Sequence, residues 1–181
     1  MPRNRLPPWH EEFVLPNRRA ILIRPIRPED AAPLHAAFGL LGPGEIRVRF
    51  GGTDGELDLE AAGQMARPDP RQELLLVGAE PFAPGEAMIA ALGRARRVPG
   101  TREAECAILL ARYVAGLGLG RHLLQKLVKW ARGRSVERLF GDIPATNTPM
   151  RELADSMGFQ VDPDADVPPG LVRVVLDLGR D

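Results

Sequence analysis

Three features of this 181-residue sequence predict an α+β domain in which a mostly antiparallel sheet of about 6–7 strands lies between layers of helices. Its elements read in the order strand, helices, strand meander, helix, strand, helix, strand, and strands joined by tight turns pair antiparallel. One segment, GLGLGRHLLQKLVKWARGR, has strong helical periodicity and follows the meander directly. No repeat period is present, which sets solenoids and propellers aside.

The first strand covers 20–27 (AILIRPIR), β-branched and closed by a proline turn. Pro28-Glu29-Asp30 is an acidic helix start, and the helix runs to about Leu41 with Leu34, Ala37, Phe38 and Leu41 on one face, stopped by Gly42-Pro43-Gly44. A short helix is expected over 45–50 and a weaker one over 57–65, before the breakers Pro68 and Pro70. Strands follow at 73–79 (ELLLVGA), 86–96 and 103–111 (EAECAILLA), with Pro99-Gly100 as the hairpin turn between the last two.

In the amphipathic helix, Leu119, Leu123, Leu124, Leu127, Val128 and Ala131 take the core face. Arg121, Gln125, Lys129 and Arg132 take the other, Lys126 is read as part of the solvated surface, and Gly133 is the expected cap. A strand over 136–143, a helix over 148–157 ending at Gly158, and a strand over 171–178 complete the chain. Residues 1–19 are read as an N-terminal extension and 20–181 as a single domain, with 162–170 as a Pro/Asp-rich loop.

Composition narrows the function classes. Lys+Arg and Asp+Glu number 24 each and the isoelectric point is near 6.9, so no global field draws the chain to nucleic acid or anionic lipid. A single cysteine, Cys106, excludes an internal disulfide and a Cys-based zinc site, and His10, His35 and His122 are widely separated, so no metal is expected. No apolar stretch approaches the roughly 20 residues of a membrane span. The expected partners therefore include neither nucleic acid nor membrane, and the expected location is the cytoplasm.

The chemistry begins at Gly116, Gly118 and Gly120, which alternate between a strand and a helix start, where backbone N–H groups converge on an anion. The dinucleotide fingerprint fails because Arg121 and the antiparallel context depart from it, and the phosphate-loop pattern fails because Gly120 is followed by Arg121-His122. Glu103 and Glu105 lie two apart on one strand and share a face with Ala107 and Leu109, whereas Cys106 points the other way and reads as a small buried apolar residue.

The loop Ala115-Gly116-Leu117-Gly118-Leu119-Gly120 resembles the pyrophosphate loop of the GNAT superfamily of N-acetyltransferases, written Gln/Arg-x-x-Gly-x-Gly/Ala. NTPMRELADSMGF is similar to the family's later helix, opened by Asn147 and closed by Gly158-Phe159. IRPIRPED, the R-V-R-F segment at 47–50 and AECAILL are similar to the acetyltransferase module of bacterial protein-lysine acetyltransferases. The resemblance covers about 24–159. It implies a mixed sheet whose fourth and fifth strands splay apart to grip acetyl-CoA as co-substrate.

It also implies site roles. Glu105 takes the position of the general base, which acyl transfer to a lysine-like amine of pKa near 10.4 requires. Backbone groups of Leu109 and Leu110 would meet the pantetheine arm, the amides of Gly116, Leu117, Gly118, Leu119, Gly120 and Arg121 the pyrophosphate, and Asn147 the pantetheine or leaving-thiolate region. Ala115, Leu117 and Ala154 depart from the family's usual Gln/Arg, polar residue and Tyr. For Glu105 the competing role is a solvated strand glutamate or an ion pair with Arg94 or Arg96 on the neighbouring strand, and for Asn147 an ordinary helix cap. The expected function is transfer of an acetyl group from acetyl-CoA to an amine, a protein lysine in the nearest resemblance. The alternatives are an inactive acyl-CoA-binding regulatory module and a scaffold that binds no CoA. The cluster Arg94, Arg96 and Arg97 is a further candidate for docking an acidic surface.

Overall fold

Alternation of apolar residues along AILIRP puts Ile21 and Ile23 on one buried face, and this strand seeds a sheet of eight in the computed structural model, which describes residues 10–38 and 58–179. The strands are β1 (Glu11–Val14), β2 (Ala20–Pro25), β3 (Glu73–Ala79), β4 (Ile89–Arg97), β5 (Glu103–Leu110), β6 (Arg138–Pro144), β7 (Gln160–Val161) and β8 (Leu171–Asp177). Their spatial order is β1-β2-β3-β4-β5-β6-β8-β7. Every pairing is antiparallel except β5–β6.

The helices are α1 (Ala31–Phe38), α2 (Leu59–Met65), α3 (Leu119–Gly133) and α4 (Thr148–Ser156), with short 3₁₀ turns at Pro28–Asp30 and Arg112–Val114. Asp58 starts α2 by accepting the Ala61 N–H at 2.7 Å, and Asn147 starts α4 by accepting that of Met150 at 3.3 Å. On one face of the sheet, α3 buries Leu119, Leu123, Leu124, Leu127 and Ala131. Each of these leucines contributes about 1.5–3 kcal/mol. The opposite face holds a second core, in which Leu34, Phe38 and Ala62 pack on Leu75, Val77 and Leu92.

The mixed, mostly antiparallel sheet flanked by helices agrees with the expected class, with two strands more than the six that the sequence showed. β1 lies within 1–19, where its four residues sit among prolines and charges, and β7 has two residues only. The expected helix start at Pro28 is a 3₁₀ turn. Its end near Leu41, the Gly42-Pro43-Gly44 stop, the helix at 45–50 and the R-V-R-F segment lie outside the described residues. Gly133 is the last residue of α3 and Arg134 its cap, while the left-handed residue that reverses the chain is Ser135, at φ 56°. Among the described residues no helix is long and apolar enough to cross a membrane.

Beneath the sheet, Arg24 and Asp30 form a buried fork, with bonds of 2.6 and 2.9 Å. Asp30 also accepts the Arg27 N–H at 2.8 Å, so the pair staples β2 to the turn that enters α1. Burial pushes the Asp30 carboxyl up, but Arg24 and the backbone N–H groups of Arg27 and Gly85 hold it below its ordinary value.

Candidate active site at the splay of the sheet

The parallel seam between β5 and β6 has three register pairs, Glu103 with Arg138, Ala104 with Leu139, and Glu105 with Phe140. Both strands continue past that point without pairing. A cleft opens between them, lined by Cys106, Ala107, Ile108, Gly141, Asp142 and Ile143 and roofed by α3 and α4 through Leu124, Asn147, Met150 and Ala154. Gly141 marks where the strands begin to part: a Cβ there would stand 2.9 Å from the Cys106 carbonyl oxygen. The role of this glycine was not apparent from sequence, because only the backbone approach reveals it.

Glu105 is the last β5 residue in the seam and faces away from α3, with the carboxylate exposed at the mouth of the cleft. Among the described residues it makes no hydrogen bond or ion pair. The partners that the sequence offered it are otherwise placed: Arg94 bonds Glu73 at 2.5 Å, and Arg96, opposite Glu105 in register, is exposed. Glu103 instead accepts from Arg138 at 3.1 Å, and Arg138 also reaches Asp162 at 2.8 Å. Desolvation raises the pKa of Glu105 above the ordinary carboxylate value and the charge of Asp142 raises it further, while Arg94, Arg173 and Arg96 pull the other way.

Cys106 alternates away from Glu105 as expected but is half-buried, because the cleft opens beside it; loss of solvent around the thiol pushes it up to about 12, with Glu105 and Asp142 adding to the rise. It is a thiol rather than a nucleophilic thiolate at neutral pH.

At the far end of β5, Leu109 and Leu110 pair with Leu92 and Ala91 of β4, so their other edge faces the cleft side. The loop beyond reverses through Gly116 at φ 73° and Gly118 at φ 89°, conformations that side chains with a Cβ rarely adopt. Gly120 is required for a different reason. A Cβ there would meet Leu110 Cδ1 at 3.1 Å and Leu153 Cδ2 at 3.5 Å. His122 N–H to the Gly118 carbonyl, at 3.2 Å, is the first bond of α3, so the N–H groups before it have no intrahelical acceptor and present partial positive charge.

The side chains around this loop are tied to the scaffold. Leu117 packs on the main core, Leu119 is buried, and Arg121 donates to Ser156 Oγ of α4 at 2.7 Å. Asn147 caps α4, and it also lines the cleft. Lys126 is not merely solvated: the Glu11 carboxylate of β1 lies 2.5 Å from its Nζ. The same carboxylate is 2.9 Å from His122 Nε2, within ion-pair distance but outside hydrogen-bond alignment. Phe13 stacks against the His122 ring at 5.0 Å, and a Cβ on Gly118 would come within 3.9 Å of it. Sequence gives no sign of this clasp, because β1 is four residues long and gains its strand character only by pairing with β2.

An unpaired carboxylate where β5 and β6 part, and a glycine loop with free N–H groups beyond the end of β5, are chemically suited to an anionic carrier and a basic acceptor. Residues 57–159 match the family described as Acetyltransferase (GNAT) family. Acetyltransferase PA5475 of Pseudomonas aeruginosa is 30% identical over 158 residues, which cover 86% of this chain and 83% of that one. The GNAT domain of S. lividans PAT superposes with a TM-score of 0.75 at 22% identity, covering 96% of this chain and all of that one. The Salmonella typhimurium protein yncA, a putative acetyltransferase solved with its cofactor acetyl-CoA, gives 0.67 at 21% identity and covers 89% and 95%.

Proposed function

The chain belongs to the GNAT family of acetyltransferases, and from that premise we propose that it moves an acetyl group from acetyl-CoA to a protein lysine by direct transfer, with Glu105 as general base. The observation that carries this reading is the unpartnered Glu105 carboxylate at the point where β5 and β6 part. Acetyl-CoA supplies the thioester. The left-handed loop at Gly116 and Gly118 and the free N–H groups at the start of α3 fit a pyrophosphate, and Leu109, Leu110 and Asn147 would flank the pantetheine arm.

In this reading Glu105, ionised, takes a proton from the acceptor ammonium, and the freed nitrogen attacks the thioester carbonyl. As the C–N bond forms the nitrogen gives up its second proton to water, the C–S bond breaks and CoA leaves as the thiolate. A thiol pKa near 8.5 makes that departure easy at neutral pH, so Ala154 in place of a proton donor does not block it. Lysine as the acceptor rests on AECAILL, which resembles the matching stretch of protein-lysine acetyltransferases.

Glu105→Gln tests the base. Its kcat is expected to fall about 10²–10⁴-fold, while acetyl-CoA still raises the melting temperature as it does in the wild type. Retention of full turnover would overturn the assignment. A non-catalytic acyl-CoA-binding module is the second reading, favoured by Ala115, Leu117 and Ala154. Steady turnover of any lysine peptide by the wild type removes it.

A further inference from the structure

Phe140 stands beside Glu105 in the seam, and Asp142 lies two residues farther along the same face of β6. Asp142 is opposite Arg173 of β8 and holds it in a fork, Nε to Oδ1 at 2.8 Å and Nη2 to Oδ2 at 2.9 Å. The Arg173 guanidinium also lies over the Phe140 ring, 4.5 Å from its centroid. The ring next to Glu105 is thus covered by one member of an ion pair whose other member lines the cleft.

We propose that Asp142 and Arg173 are positioning residues for the general base: locked as a fork across β6 and β8, they set the proton affinity of Glu105 from the far side of the splay. The inference rests on Glu105 acting as the base. Asp142 lies two residues past the last paired position of β6, so its charge acts on Glu105 across the opening of the cleft. The charged groups facing Glu105 are Arg94 and Arg96 of β4, Glu103 of its own strand, Arg138 and Asp142 of β6, and Arg173 of β8. Of these, Arg138 and Glu103 neutralise each other and Arg94 is engaged by Glu73. Asp142 and Arg173 act in opposite senses, Asp142 raising and Arg173 lowering the Glu105 pKa, so removing one leaves the other uncompensated.

The test is a ¹³C NMR titration of the Glu105 carboxyl in the wild type, D142N and R173Q, beside pH–rate profiles with acetyl-CoA and a lysine peptide. D142N is expected to move the Glu105 titration, and the acidic limb of kcat/KM with it, to lower pH. R173Q is expected to move both to higher pH. At a fixed pH on that limb, kcat/KM should rise in D142N and fall in R173Q, each by about threefold to tenfold. A role confined to holding the sheet together would lower activity and melting temperature in both variants with no opposed shift, and that result overturns the proposal. So does a Glu105 titration unchanged in both. Full turnover by E105Q would remove the base assignment, and the catalytic meaning of the pair with it. The carboxyl titration reads the coupling separately, so the two failures are distinguishable.

Discussion

Two Arg–Asp forks of nearly the same geometry sit in different surroundings. Arg24 and Asp30 are 1% and 0% exposed, whereas Arg173 and Asp142 retain 27% and 13% of their side-chain surface beside an open cleft. In the dry site neither charge can be solvated if its partner is lost, so the pair works as a staple and its disruption is a stability event. At the cleft, water reaches the pair, and less of its effect goes into holding the fold. More is available to act on a neighbouring carboxylate. Surroundings, more than bond geometry, decide what an ion pair does.

The largest expected effect is therefore Asp30→Ala, which strands the Arg24 guanidinium and costs about 3–5 kcal/mol, measured by urea unfolding. If Asp142→Ala costs as much, the contrast breaks. Asp142→Ala is expected to cost about 1.5–3 kcal/mol, the range for a hydrogen bond to a charged group. Because the folded-state pKa of Asp30 is depressed, its stabilisation is present above the unfolded-state value and is lost as the pH falls through the folded value. Melting curves between pH 6 and pH 3 should accordingly be flatter for Asp30→Asn than for the wild type.

Gly118→Ala imposes a left-handed conformation on alanine and costs about 1–3 kcal/mol. In the same variant the melting-temperature gain from acetyl-CoA should shrink if the loop binds the pyrophosphate. Smallest is Glu11→Gln, which loosens β1 from Lys126 at a half-exposed pair for about 0.2–1 kcal/mol, resolved best by a double-mutant cycle with Lys126→Met. The Glu105 carboxyl, being raised, offers the opposite sign: ionising it at neutral pH opposes folding, so Glu105→Gln should melt no lower than the wild type.

Long periodic segments were legible in the sequence, because α3 and strands β2 to β5 declare themselves by their buried faces. The glycine loop and Asn147 were legible as local chemistry that needs no partner to be recognised. β1 was hidden because a four-residue edge strand flanked by prolines gains its identity from pairing with β2. Asp142 and Arg173 were hidden for a similar reason: 31 residues separate them, and neither shows a motif until β6 and β8 are set in register. Gly141 looked like any strand glycine until the Cys106 carbonyl was found against it.

The three-pair seam has a mechanical side. The sheet is two panels, β1 to β5 and β6 with β8 and β7, joined along one short parallel stitch. The core under α3 spans both panels, so only the sheet's own hydrogen bonding is thin at this line. Native-state hydrogen exchange should then find amides along the stitch exchanging ahead of those of β3 and β4.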